Sequence, residues 1–162
     1  SAYSPLQLDC SAFTFNIGST TKMTIDSSGL ATFSNGISLG DETLSTYDEG
    51  TFSPVCYSNS GSITSYSATG KYVRVGKHVT ITIYWNIIDN GTGATNAAIS
   101  GLPFTIDTAA SAITRAAGTT GKTIMFQGVG GSKTLSGWTY DNAYPWSTGA
   151  NGSMTFSYIT SD

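Results

Sequence analysis

The sequence predicts an all-β protein, an antiparallel β-sandwich preceded by a stretch of short strands. Three observations lead there. Nearly every apolar pattern has period two, as in HVTITIYWNII (His78 to Ile88), where Val79, Ile81, Ile83, Trp85 and Ile87 fall on one face and Thr80, Thr82, Tyr84 and Asn86 on the other. Gly- and Asn-containing turn signals separate these runs: Asn90-Gly91, Gly130-Gly131 and Asn151-Gly152. No segment shows a clean apolar stripe of helical period. The one candidate for a helical turn, Ala109 to Ala117, is better read as loop or strand.

Taken in order, the first third stands apart. In FTFNIGSTTKMTIDSSGLATFSNGISLG (Phe13 to Gly40) short apolar pairs recur: Phe13/Phe15, Met23/Ile25, Ala31/Phe33 and Ile37/Leu39. Asp26-Ser27-Ser28-Gly29 and Asn35-Gly36 turn the chain between them. Each piece is too short to enclose a core. Such pieces bury their apolar faces most easily against copies of themselves, which predicts an intertwined fibrous segment and a homo-oligomer. The alternative is that these strands join the sandwich. After the boundary stretch TYDEGTFSP (Thr46 to Pro54), GKYVRV (Gly70 to Val75) alternates and pairs through Gly76-Lys77 with the His78 run as a hairpin. Lys122–Val129 and Ser153–Ile159 are further strands. In the latter, Met154, Phe156 and Tyr158 share a face. Many short strands punctuated by Gly and Asn make a sandwich.

Composition narrows function. Seven Lys+Arg against ten Asp+Glu give a net charge of −3 in 162 residues. That balance argues against nucleic acid and against an anionic membrane surface. Only 10% of residues are charged, and the polar character comes from Ser, Thr, Asn and Gly. No apolar run approaches the roughly 20 residues of a membrane span. SAYSPLQLDC, the first ten residues, has neither a basic nor an apolar leader region, so no signal peptide is expected. Cys10 and Cys56 read as two separate buried thiols, with a disulfide between them as the alternative. Neither has a second Cys or His at metal-ligand spacing.

Four segments in order, IGSTTKMTIDSSGLATF, LSTYDEGTFSP, GKYVRVGKHVTI and ISGLPFTI, resemble the C-terminal part of bacteriophage tail-fibre and related virion fibre proteins. In that family an "STTKMTIDSSG" repeat closes a fibre shaft and a "YDEGTWTP"-like segment opens a β-sandwich head. A "G-x-Y-x-x-x-G-x-x-V" hairpin and an "I-x-G-L-P-F" element follow. The resemblance covers nearly the whole chain. Phe52 stands where a Trp is common, and Cys56 is outside the pattern. The resemblance implies a homotrimer at the distal end of a virion appendage, with residues 1–46 as intertwined β shaft end and trimerisation segment. Residues 47–162 become a jelly-roll-like sandwich head that binds receptors. It further implies a tail-fibre tip located on the virion and assembled in the host cytoplasm, with upstream fibre or other virion proteins as partners and a host cell-surface glycan as ligand. Neither nucleic-acid binding nor membrane insertion is expected. Tyr47 to Pro54 is then the neck, with Asp48 and Glu49 near a three-fold axis or capping the first head strand.

Three constellations bear on chemistry. His78, the single histidine, has no nucleophile or orienting acid beside it in sequence and reads as a surface residue. The acids sit mostly in turns. Asp41, Glu42, Asp48 and Glu49 gather at the neck, where three-fold symmetry could relieve their repulsion with a cation, but solvated acids with no metal is the expectation. No enzymatic activity, catalytic residue or cofactor is expected. The most informative cluster is GWTYDNAYPW (Gly137 to Trp146), where Trp138, Tyr140, Tyr144 and Trp146 accompany Asp141 and Asn142. Aromatic rings offer faces to sugar C–H groups, and Asp and Asn bond hydroxyls. All six are therefore candidate glycan ligands, with Tyr84 as a seventh because it points away from the Trp85 face. The competing reading places one Trp and one Tyr in the core and the rest at a subunit interface. Two rivals to the adhesin remain: a structural or trimerisation tip with no specific ligand, and a carbohydrate-binding module of a larger enzyme.

Overall fold

A computed structural model describes residues 11–35, 37–39, 42–44, 46–118 and 121–162. The chain divides into two units, Ser1–Thr46 and Tyr47–Asp162.

In the first unit β1 (Phe13–Ile17), β2 (Thr20–Ile25) and β3 (Ala31–Phe33) form an antiparallel sheet, and β4 (Ile37–Leu39) pairs with β5 (Glu42–Leu44). The β2–β3 turn is built by Asp26, whose carboxylate accepts the Ser28 hydroxyl (2.6 Å) and the amides of Ser28 (2.8 Å) and Leu30 (3.1 Å). Those donors, the Ser28 hydroxyl foremost, hold the Asp26 carboxyl below its ordinary pKa. Gly29 closes the turn at φ +82°, a conformation costly for other residues. Register puts Phe13 opposite Ile25, Phe15 opposite Met23, Met23 opposite Phe33, and Ile25 opposite Ala31. The alternation thus gathers Phe13, Phe15, Met23, Ile25, Ala31 and Phe33 on one face. That face is open: Phe15 is 52% exposed, and Phe13 and Phe33 are exposed as well.

The second unit holds β6 (Tyr47–Phe52), β7 (Val55–Ser60), β8 (Ser65–Val75), β9 (His78–Asp89), β10 (Ala94–Ser100), β11 (Ala110–Arg115), β12 (Thr123–Gly128), β13 (Thr134–Thr139) and β14 (Asn151–Ile159). They form a five-stranded sheet, β11-β12-β13-β10-β7, and a four-stranded sheet, β14-β9-β8-β6. The pairings within both are antiparallel, and the described residues contain no helix. The inner faces share one core. Val79, Ile81, Ile83, Trp85 and Ile87 from β9, with Met154, Phe156 and Tyr158 from β14, are buried with Ile99, Ile124, Phe126 and Leu135. Trp85 and Phe126 meet edge to face at 5.6 Å. Ser53 and buried Pro54 carry the chain from one sheet to the other, where no ladder donor is needed.

Two expectations need correction. Asn151-Gly152 is not a turn but the first two residues of β14. Gly152 sits there because Trp85 lies against it: a Cβ would come within 2.5 Å of the indole. The turn falls just upstream, where the Ala150 amide donates to the Ser147 carbonyl (2.9 Å). The strand order also departs from a jelly roll. β8–β9 and β11–β12–β13 are sequential neighbours, each within one sheet, although the chain also crosses between the sheets at β6–β7, β7–β8, β9–β10 and β13–β14. The Ala109–Ala117 stretch holds strand β11, Ala110–Arg115. Its edge meets the edge of β14: the Thr114 hydroxyl donates to the Ser153 carbonyl (2.6 Å), and Ala117 and Asn151 exchange backbone hydrogen bonds.

Candidate functional site

Strand parity builds the site. On β11, β12 and β13 the residues alternating with core Ala112, Phe126 and Gly137 are Ile113, Met125 and Trp138. Register sets Ile113 opposite Met125 and Met125 opposite Trp138, one apolar row across three strands on the outer face. Ile113 and Met125 are exposed. Tyr140 extends the row: its amide donates to the Thr123 carbonyl (3.3 Å), and its ring is 75% exposed. Ile113, Thr123, Met125, Trp138, Tyr140 and Asn142 line a shallow depression of about 310 Å³.

The loop after β13 fixes the polar rim. Buried Thr139 anchors it, its hydroxyl donating to the Asp141 carboxylate and accepting the Ala143 amide (3.0 Å). Asn142 sits at φ +58°, a conformation Asn tolerates better than most residues. Lys122 donates to Asp141 (2.5 Å) and lies 5.7 Å from the centre of the Tyr140 ring. Lys122 first, then Thr139, hold the Asp141 carboxyl down to about 2, and the same contact raises the Lys122 ammonium. The rim therefore presents an ionised carboxylate, a lysine and an amide beside the exposed Tyr140 ring and half-buried Trp138.

The sequence candidates separate accordingly. Trp138, Tyr140, Asp141 and Asn142 come together. Trp146 does not: it is 3% exposed and packs on Phe126 at 6.2 Å, because the irregular Tyr144-Pro145-Trp146 segment runs over the core. Its indole N–H has no partner among the described residues. Tyr144 is half-buried against that core, its hydroxyl donating to Asn90 (2.8 Å). Both belong to the sandwich rather than to an open site. Tyr84 is exposed, but on the outer face of the other sheet, beside Ser153 of β14. Ile113, Met125 and Lys122 escaped the sequence reading. The alternation in ASAITR and TIMFQG marks the first two as outward, but only register aligns them with Trp138.

Elsewhere, His78 is exposed. Asp48 accepts the Tyr72 hydroxyl (3.1 Å) and Glu49 the Tyr47 hydroxyl (2.6 Å), both within β6. The Asp41 and Glu42 side chains and Cys10 lie outside the described residues. Among the described residues no group of three or more His, Cys, Asp or Glu could hold a metal, and no helix is long and apolar enough to cross a membrane. Cys56 is buried, and desolvation pushes its thiol up to about 12.

No known family model matches the chain, and no curated protein matches it. Among solved structures, the Dettilon tailspike protein is similar at 19% identity and a TM-score of 0.46, over 70% of this chain and 24% of that one. The chain thus spans about a quarter of that tailspike's length.

Proposed function

We propose that the chain is an adhesive tip module of a bacteriophage tail fibre, binding a host cell-surface polysaccharide. The observation that carries this reading is the outward Ile113–Met125–Trp138–Tyr140 row, in which Trp138 is half-buried and the other three are exposed, with its Lys122–Asp141–Asn142 rim. Large rings held in water cost free energy unless something covers them. A sugar does so with its C–H face, while its hydroxyls take the rim's donors and acceptors. The four sequence segments that resemble virion fibre proteins favour a virion appendage as the setting. No covalent chemistry is required.

The open apolar face of β1–β3 supports the oligomer. A three-stranded sheet with Phe13, Phe15 and Phe33 in water leaves apolar surface that copies of the same sheet would cover. The proposed assembly is a homotrimer, and three weak sites per tip raise avidity. The burial of Trp146 and the anchoring of Tyr144 favour a second reading, a structural tip with no specific ligand, in which subunits cover the outer row too.

The test combines solution mass with a panel of bacterial surface polysaccharides. Three chains per particle and loss of at least about tenfold in binding for Trp138→Ala or Tyr140→Ala support the adhesin. If both variants stay assembled and bind cells as the parent does, the row is not the receptor site. A monomeric parent would favour a carbohydrate-binding module of a larger enzyme.

A further inference from the structure

A second depression, of about 410 Å³, opens beside the seam where β11 meets β14, and Tyr84, Thr114, Arg115, Asn151 and Ser153 are among its walls. That volume falls in the range of small-ligand sites, about 300–1,000 Å³. It shares no lining residue with the Trp138 row.

We propose that this depression is a separate binding site for a carboxylate-bearing sugar residue. Four features converge. Arg115 is oriented rather than free: its Nε donates to the Gly121 carbonyl (3.2 Å), so the guanidinium is held in place on the exposed surface. No carboxylate pairs with it among the described residues. Its terminal N–H groups thus remain for a planar anion, which a guanidinium grips through two parallel hydrogen bonds. Tyr84 supplies an exposed ring (48%) on the other side, a flat face for sugar C–H groups. Between them, the Asn151 amide is fixed by its Nδ2 donating to the Gly149 carbonyl (3.2 Å), which leaves Oδ1 to accept a hydroxyl. The Ser153 side chain, exposed opposite Tyr84, has no hydrogen-bond partner among the described residues and adds a donor and an acceptor. The floor is rigid. The Thr114 hydroxyl is committed to the Ser153 carbonyl, and Ala117 and Asn151 are joined through their backbones.

One cation, one ring and two hydroxyl partners around a preformed hollow match a uronic acid better than a neutral hexose. A neutral sugar would leave the guanidinium unanswered. The sugar as carrier of the carboxylate rests on the adhesion reading, whereas the anion preference rests on Arg115 alone.

The test titrates the full chain with glucuronate, glucose and acetate, following amide shifts by NMR, for the parent and for Arg115→Gln, Tyr84→Ala and Trp138→Ala. The expected result is glucuronate-dependent shifts around Tyr84, Arg115, Asn151 and Ser153, at least about tenfold weaker with glucose or acetate. Arg115→Gln and Tyr84→Ala should each lose that binding, with Trp138→Ala unchanged. Tyr84→Ala touches neither the Gly121 carbonyl nor the seam, so it tests the site if Arg115→Gln disturbs its loop. Equal affinity for glucuronate and glucose, or parental binding by Arg115→Gln, overturns the proposal. Equal affinity for acetate and glucuronate overturns the sugar assignment. Loss of polysaccharide binding in Trp138→Ala with glucuronate binding intact, or the reverse, tells failure of this site from failure of the outer row.

Discussion

The two units use the same alternation and reach opposite ends. In β1–β3 the period-two face carries Phe13, Phe15, Met23, Ile25 and Phe33, and its rings stand in water. In β9 the same pattern carries Val79 to Ile87, and every inward residue is buried. The residues are equally apolar, so hydrophobicity does not distinguish them. What differs is whether a second sheet of the same chain faces the first. Tyr47–Asp162 supplies two sheets and closes its own core. Within Ser1–Thr46 the β1–β3 sheet has no such partner among the described residues, so its cover is proposed to come from other chains.

The sharpest break in that comparison comes from the closed core. Phe126 touches both Trp85 and Trp146, and Phe126→Ala should lower unfolding stability by about 3–5 kcal/mol in a urea titration. A loss under about 1 kcal/mol would mean that the sandwich core is not packed as described. The open sheet should respond differently. Phe15→Ser combined with Phe33→Ser should reduce the light-scattering mass from three chains to one. All three tryptophans, Trp85, Trp138 and Trp146, lie beyond residue 46, so their fluorescence reports the second unit alone. Its denaturation midpoint should move far less than in Phe126→Ala. An unchanged mass would remove the proposed role of this face in assembly.

Legibility in the sequence followed the same divide between local pattern and long-range pairing. The β8–β9 hairpin was readable because a long alternating run and Gly76, at φ +58°, are both local. The inward set of β14 was readable for the same reason. β7, β10 and β13 were not. They are short and rich in Ser, Ala and Gly, and β7 and β10 pair with segments far along the chain, while β13 joins its neighbour β12 to distant β10. Asn151-Gly152 misled because that dipeptide is a turn signal only when nothing demands a missing side chain. Here the Trp85 indole demands one. Gly152→Ala should cost about 1–3 kcal/mol through overpacking, measured by the same urea titration. A neutral outcome would mean that Trp85 can move aside and that the glycine is dispensable. Half of the candidate loop was legible as a cluster of aromatics, but which rings turn inward was not. Trp146 and Trp138 are chemically alike, and only the path of the irregular segment through buried Pro145 puts one in the core.

The smallest expected effect tests the rim rather than the core. Asp141 sits on the surface, yet its carboxyl is held near 2 against an ordinary 3.8, because Lys122 and Thr139 both donate to it. The folded state therefore holds its proton less tightly than the unfolded chain does. The contribution of this contact is complete above pH 3.8 and fades as pH falls toward 2. On the alkaline side the raised Lys122 ammonium keeps the contact until pH rises past the folded pKa, which lies above the ordinary 10.5. Between those limits the rim should not change with pH. Carboxyl carbon shifts should place the Asp141 midpoint at about 2 in the parent. In Lys122→Ala the midpoint should move back toward 3.8 without reaching it, since the Thr139 hydroxyl still donates. A parental midpoint near 3.8 would mean that neither Lys122 nor Thr139 holds the Asp141 carboxylate, and the rim would then be as open as the β1–β3 face. A depressed midpoint would place the Trp138 row among the ordered parts of the sandwich, a surface built to a fixed shape although no other sheet covers it.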